Sequence, residues 1–165
     1  MATTYQLISS NTVGSGGASS VVFNSIPSTY TDLLFIASAK SNRGDSNDWC
    51  DFKINGNNMS AYRFLLGEGS QVTSYQTGSG LGISIGATSG YFSNTQVYIP
   101  NYLSSYNKTL TSDSIEENTT AGAYVNLLSG IRNDTSAITS VSLSPIYGTS
   151  WLQYSSFYLY GIKNS

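Results

Sequence analysis

The sequence predicts an all-β protein, a single antiparallel β-sandwich of jelly-roll type over residues 1–165, and three observations carry that expectation. Short segments alternate apolar and polar residues with period two, Gly, Asn, Ser and Pro separate them, and no window shows an i, i+3, i+4 apolar stripe. The segments recur about every ten residues, a spacing that favours two packed sheets over a propeller.

Tyr5-Gln6-Leu7-Ile8 opens the series, the Gly14-Ser15-Gly16-Gly17 loop follows, and Ser20-Val21-Val22-Phe23 resumes in extended form before Pro27. Leu33-Leu34-Phe35-Ile36-Ala37 is apolar on both parities, the pattern of a mid-sheet strand covered on both sides. From Trp49 to Ile54, alternation puts Cys50, Phe52 and Ile54 on one face and Trp49, Asp51 and Lys53 on the other. Asn55-Gly56 is a hairpin dipeptide, so Tyr62, Phe64 and Leu66 are expected on the return strand. Further strands are expected at 71–75, 81–85, 95–99, 108–114, 121–127, 137–143 and 157–162. In the last, Phe157, Leu159 and Gly161 point one way and Tyr158, Tyr160 and Ile162 the other. With both faces apolar or aromatic, that strand is either central in its sheet or covered by another subunit.

The composition limits the chemistry. Charged residues make up 10% of the chain against about a quarter in ordinary domains, and Ser, Thr, Asn, Gly and Tyr take their place. Such surfaces recognise other surfaces through rigid aromatics and small hydrogen-bonding groups. The net charge is −2 and the seven Lys and Arg are scattered between Lys40 and Lys163, which disfavours a nucleic-acid partner. The longest apolar run falls far short of the roughly 20 residues that span a bilayer, and the N-terminal segment lacks signal-peptide features, so neither a membrane partner nor export is expected.

With no His in the chain, Ser-His and Cys-His nucleophilic machinery has no base, and a lone thiol cannot assemble a usual zinc site. Cys50 reads as a small buried hydrophobe. Asp45-Ser46-Asn47-Asp48 with Asp51 groups oxygen ligands of the kind a hard cation uses, but the spacing is not that of an EF-hand loop, and a solvated turn leading into a strand is expected. Glu116-Glu117 and Asp113 offer carboxylates for an acid/base pair, but adjacent Glu residues on a strand point to opposite faces, unlike the opposed carboxylates of a glycosidase, and a solvated loop is expected. Arg43-Gly44-Asp45 and the sequons at Asn58, Asn107, Asn118 and Asn133 are bare matches in an Asn/Ser/Thr-rich chain. Neither Gly67-Glu68-Gly69 nor Gly78-Ser79-Gly80 continues into the Lys-Ser or Lys-Thr of a phosphate loop. No catalytic residue, cofactor or metal site is therefore expected.

What remains is aromatic. Tyr contributes 13 residues, several in Ser/Gly/Asn context: Tyr75, Tyr102, Tyr106, and Tyr147 and Tyr154 beside Trp151. Tyr and Trp outside core parity either anchor interfaces or pack loops onto the sandwich. Tyr147, Trp151 and Tyr154 are the candidate contact surface.

Ile26-Pro27-Ser28-Thr29-Tyr30-Thr31-Asp32-Leu33-Leu34, Tyr98-Ile99-Pro100-Asn101-Tyr102 and Gln153-Tyr154-Ser155-Ser156-Phe157-Tyr158-Leu159-Tyr160-Gly161-Ile162 resemble segments of small structural proteins of tailed bacteriophages, particularly those of aquatic bacteria and cyanobacteria. The resemblance implies a β-rich virion component, made in the host cytoplasm, that binds the major capsid protein or other virion proteins. It assigns no residue-level roles. The chain shows no anchoring domain, shaft or collagen-like repeat, which favours a capsid decoration or cement protein that stabilises the head. The alternative is a tail-associated receptor-binding or carbohydrate-binding protein. A homo-oligomer that hides its strand edges is expected in either case.

Overall fold

The computed structural model describes residues 4–45, 47–77, 83–86, 91–116 and 123–163. Thirteen strands and no helix are found among them: β1 Tyr5–Thr12, β2 Val21–Phe23, β3 Asp32–Ala39, β4 Asn47–Ile54, β5 Asn57–Asn58, β6 Ala61–Glu68, β7 Gln71–Thr77, β8 Ile83–Gly86, β9 Ser93–Ile99, β10 Lys108–Glu116, β11 Tyr124–Arg132, β12 Val141–Pro145 and β13 Ser156–Ile162. They form a β-sandwich. The large sheet runs β1-β13-β3-β9-β10-β11-β6-β7 and the small one β2-β12-β4-β5, with β8 also pairing with β4. Every strand pair is antiparallel. The two sheet orders establish the sandwich; the finer jelly-roll assignment does not follow from them.

Between the sheets, Phe35 is the hub. Its ring meets Phe23 and Phe52 edge-on at 6.0 and 5.5 Å and lies 6.3 Å from Phe157, so β2, β3, β4 and β13 share one aromatic cluster. Cys50, Phe52 and Ile54 are all buried, on the parity the alternation predicts. Asn55 and Gly56 turn the chain after β4 with φ of 51° and 74°, the left-handed pair that a type I′ turn needs. The expected return strand is corrected, however. Only Asn57 and Asn58 pair back on β4, whereas Tyr62, Phe64 and Leu66 lie on β6 in the other sheet. Tyr62 still links the layers, because its hydroxyl donates to the Phe52 carbonyl at 3.4 Å and burial pushes its phenol well above the ordinary tyrosine range. Gly130 makes room for it: a Cβ there would sit 3.0 Å from the Tyr62 ring.

β13 is central, flanked by β1 and β3, as one of its two readings required. Phe157 and Leu159 face the core, and Gly161 accepts the Tyr30 ring so closely that a Cβ would lie 2.2 Å from it. β3 is also mid-sheet, but only one of its faces is covered. Leu33, Phe35 and Ala37 are buried, while Leu34 and Ile36 stay half-exposed on the outer face. Of the remaining expected strands, the one at 137–143 is shifted to Val141–Pro145, and residues 81, 82, 121 and 122 lie outside the described residues.

Candidate functional site

The candidate aromatics lie at one end of the sandwich, where the segment between β12 and β13 meets the loop between β3 and β4. Asp48 organises this end. Its carboxylate is buried and accepts hydrogen bonds from the Ser41 hydroxyl at 2.6 Å and from the backbone N–H groups of Trp49, Tyr147 and Gly148 at 2.7, 3.1 and 2.9 Å. An ionised carboxylate is acceptor-only, and four donors converging on it fix the loop where the charge sits. Gly148 is needed for that approach, since a Cβ would meet the Asp48 carboxylate at 2.8 Å. Asn42 adds a second clamp: its side-chain oxygen accepts from Thr149 N–H and Ser150 N–H at 2.8 and 3.1 Å, and its amide donates to the Thr149 hydroxyl at 2.8 Å.

Arg43 stands over this loop with its guanidinium 4.4 Å from the centre of the Tyr147 ring. The same group donates to the Asn47 carbonyl and to Asp45, both at 2.7 Å. Arg43 and Asp45 are thus tied to one another. Among the described residues no group of three or more His, Cys, Asp or Glu side chains comes together. Asp113 and Glu116 lie on opposite faces of β10 with Glu116 buried, which corrects the solvated loop expected for them, and Glu117, Asn118 and Gly78-Ser79-Gly80 lie outside the described residues. Gly67 and Glu68 end β6, and Gly69-Ser70 makes the β6–β7 turn with Gly69 at a φ of 56°.

The three candidate residues separate. Tyr147 is 56% exposed and Tyr154 70% exposed, but Trp151 is 0% exposed, which corrects its assignment to a contact surface. Its indole packs 5.5 Å from Phe157 and donates to the Leu143 carbonyl at 3.2 Å, while its backbone bridges Ala18 and Ser41. Trp151 plugs the end of the core and thereby anchors the loop that carries the other two. Of the further tyrosines, Tyr106 is exposed, Tyr75 is half-exposed and stacked on Phe64 at 5.1 Å, and Tyr102 is buried with its hydroxyl on the Pro27 carbonyl.

Tyr154 occupies an unusual backbone position. Ser155 N–H bonds the Leu152 carbonyl at 3.1 Å, closing a turn whose third residue, Tyr154, has a φ of 73°. That position normally takes Gly or Asn, and a bulky residue there is a conformational outlier. The bond from Tyr154 N–H to the Val13 carbonyl, 3.0 Å, holds it in place. The ring lines a cleft of about 530 Å³ together with Lys40, Asn42, Phe92, Ser150 and Gln153.

A second feature lies away from this end and was not singled out by the aromatic pattern. On the outer face of the large sheet, Ile115, Val125, Gly67 and Val72 form one cross-strand row, and Asp113, Leu127, Leu65 and Ser74 form the next. The five aliphatic side chains in these rows are 48 to 74% exposed. Part of the inner face is polar: Thr95 on β9, Ser112, Ser114 and Glu116 on β10 and Asn126 on β11 are at most 3% exposed where β8 packs across these strands, whereas Tyr62, Phe64 and Leu66 keep the inner face of β6 apolar. Polarity is thus reversed at one end of β10 and β11, with polar side chains inside and aliphatics outside, while β6 carries apolar residues on both faces. The available sequence signal was Val125-Asn126-Leu127-Leu128, where apolar residues occupy both parities of one strand.

No protein-family model matches the chain, and no curated protein sequence matches it.

Proposed function

We propose that the protein is a non-enzymatic attachment protein, of the capsid decoration or cement type that its resemblance to tailed-phage structural proteins implies. The rows of exposed aliphatics on the outer face of β10-β11-β6-β7 carry the attachment reading. A folded chain gains stability by placing aliphatics inside, at about 25 cal/mol per Å² removed from water, and here five stand outside although Ser112, Ser114 and Asn126 occupy buried positions on the same strands β10 and β11. Contiguous exposed apolar surface of this kind marks a face that another surface covers. The face is sparsely charged, with Arg63 and Asp113 at its margin, as the depletion of charge in interface cores requires. The choice of particle rests on the segment resemblance alone.

In this reading the protein buries surface across neighbouring capsid subunits, so that opening the shell must break additional contacts. The test is to add purified protein to particles lacking it. Coated particles should survive heating better, because a ligand that binds only the assembled state stabilises that state. With little charge in the contact, raising salt from about 0.05 to 0.5 M should leave coating largely intact although the Debye length falls from roughly 14 to 4 Å. Leu65→Ser with Leu127→Ser should abolish coating. The second reading, a tail-associated receptor-binding or carbohydrate-binding protein, is favoured by Tyr154, whose strained backbone displays an aromatic ring at an open cleft. Hundreds of copies spread over the head support decoration; a few copies confined to the tail overturn it in favour of this alternative.

A further inference from the structure

We infer that β7 is the pairing edge of a symmetric dimer, in which two copies join β7 to β7 antiparallel around Ser74 and make the two large sheets continuous. The inference does not depend on which particle or partner the protein serves. Its basis is a contrast between the two edges of one sheet. At one edge, β1 carries a register shift between Leu7 and Ser9, an irregularity of the kind that blunts edge pairing. At the other, β7 pairs with β6 in unbroken register from Tyr62 opposite Thr77 to Glu68 opposite Gln71. Gln71-Val72-Thr73-Ser74-Tyr75-Gln76-Thr77 contains no charged residue, no Pro and no Gly. Residues 71–76 are all exposed, and β7 ends the order of its sheet. Among the described residues the outer edge of β7 pairs with no strand, and the strand carries none of the devices that prevent edge-to-edge pairing. The small sheet offers no equivalent among the described residues, since β2, β5 and β8 are two to four residues long.

The complement of an open strand edge is another strand edge, and a second copy supplies one of matching length and composition. An antiparallel pair of identical strands is isologous, so the contact closes on itself as a dimer and does not propagate. For a seven-residue strand, full overlap puts the two-fold axis at the middle residue, Ser74. Val72 then faces Gln76 of the second copy on the outer side, and Thr73 faces Tyr75 on the inner side, with no like charges opposed. The same pairing brings the two aliphatic corners together, because Val72 already ends the row that runs through Val125 and Ile115.

Sedimentation of the parent across a concentration series, combined with cysteine cross-linking, tests this. The parent should sediment as a dimer. Ser74→Cys should form an intermolecular disulfide rapidly under mild oxidation, and Cys50, being buried, should not contribute. Ser74 is exposed, so Ser74→Lys should keep the parent's circular dichroism and weaken self-association about fivefold through like charges placed opposite each other. Mixing Ser74→Lys with Ser74→Glu should restore the dimer as a heterodimer. A parent that stays monomeric at every concentration overturns the inference. So does a dimer whose Ser74→Cys form fails to cross-link and whose Ser74→Lys form associates normally, since both place the contact elsewhere.

Discussion

The loop end around Tyr147, organised by a carboxylate, and the outer corner around Leu127, lined by aliphatics, handle polar groups in opposite ways. At the loop end every key polar group is matched: Asp48 meets four donors, Asn42 both accepts and donates, and Trp151 fills the core beneath. At the corner, the hydroxyls of Thr95 and Ser114 are buried without a hydrogen-bond partner among the described residues while aliphatics stand in solvent. A buried unpartnered hydroxyl costs about 1 to 3 kcal/mol. The loop end is thus stabilised by its own contacts, and the corner has surface left over for contacts with something else.

Substitutions should separate the two behaviours. Trp151→Ala should have the largest effect, a loss of about 3 to 5 kcal/mol in urea unfolding, as expected for emptying a large aromatic site in a core. If unfolding is unchanged and only attachment is lost, Trp151 is a contact residue after all. Asp48→Ala comes next, at about 2 to 4 kcal/mol, because it leaves buried N–H donors and the Ser41 hydroxyl without their acceptor. Asp48→Asn should recover part of that loss, since an amide oxygen can still accept. In the corner, Leu65→Ser with Leu127→Ser should shift stability by no more than about 0.5 kcal/mol each, the usual range for exposed positions. The same pair should reduce binding of a hydrophobic dye to the native protein. A drop in stability comparable to Trp151→Ala would mean that the corner is part of the core.

Tyr154→Gly should be smallest and of opposite sign. Relief of the left-handed backbone, worth roughly 1 to 2 kcal/mol for a side-chain-bearing residue, is partly offset by the greater chain entropy of glycine, roughly 0.5 to 1 kcal/mol. The melting temperature should therefore hold or rise slightly. If attachment also survives, the exposed ring at the cleft is not a contact, and the receptor-binding reading loses its support.

Several features were legible from residues alone because their causes are local. Alternation over 49–54 buries Cys50 with Phe52 and Ile54, since the side-chain period of a strand is fixed by its pleat. Asn55-Gly56 turns because few other residues accept positive φ twice in succession. The two-sided aromatic pattern of 157–162 narrowed β13 to a strand either central in its sheet or covered by another subunit, and its place between β1 and β3 meets the first of these.

Other features depended on which element came to lie against which. Parity divides a strand into two faces but does not say which face is inward. In β10, Ser112, Ser114 and Glu116 are buried and Ile115 is exposed because β8, far away in sequence, packs over the polar side. Tyr62, Phe64 and Leu66 read as the return of a hairpin, yet they joined the opposite sheet, where β11 and β7 offered longer ladders than β4 could. Trp151 sits among Ser, Gly and Tyr like a surface aromatic. Its burial was decided by the gap between Leu143, Phe157 and Ala18 that only the assembled sandwich creates. Local chemistry sets the period and the turns of this chain, whereas the direction each face points is a property of the layer opposite, and that layer exists only once the chain has folded.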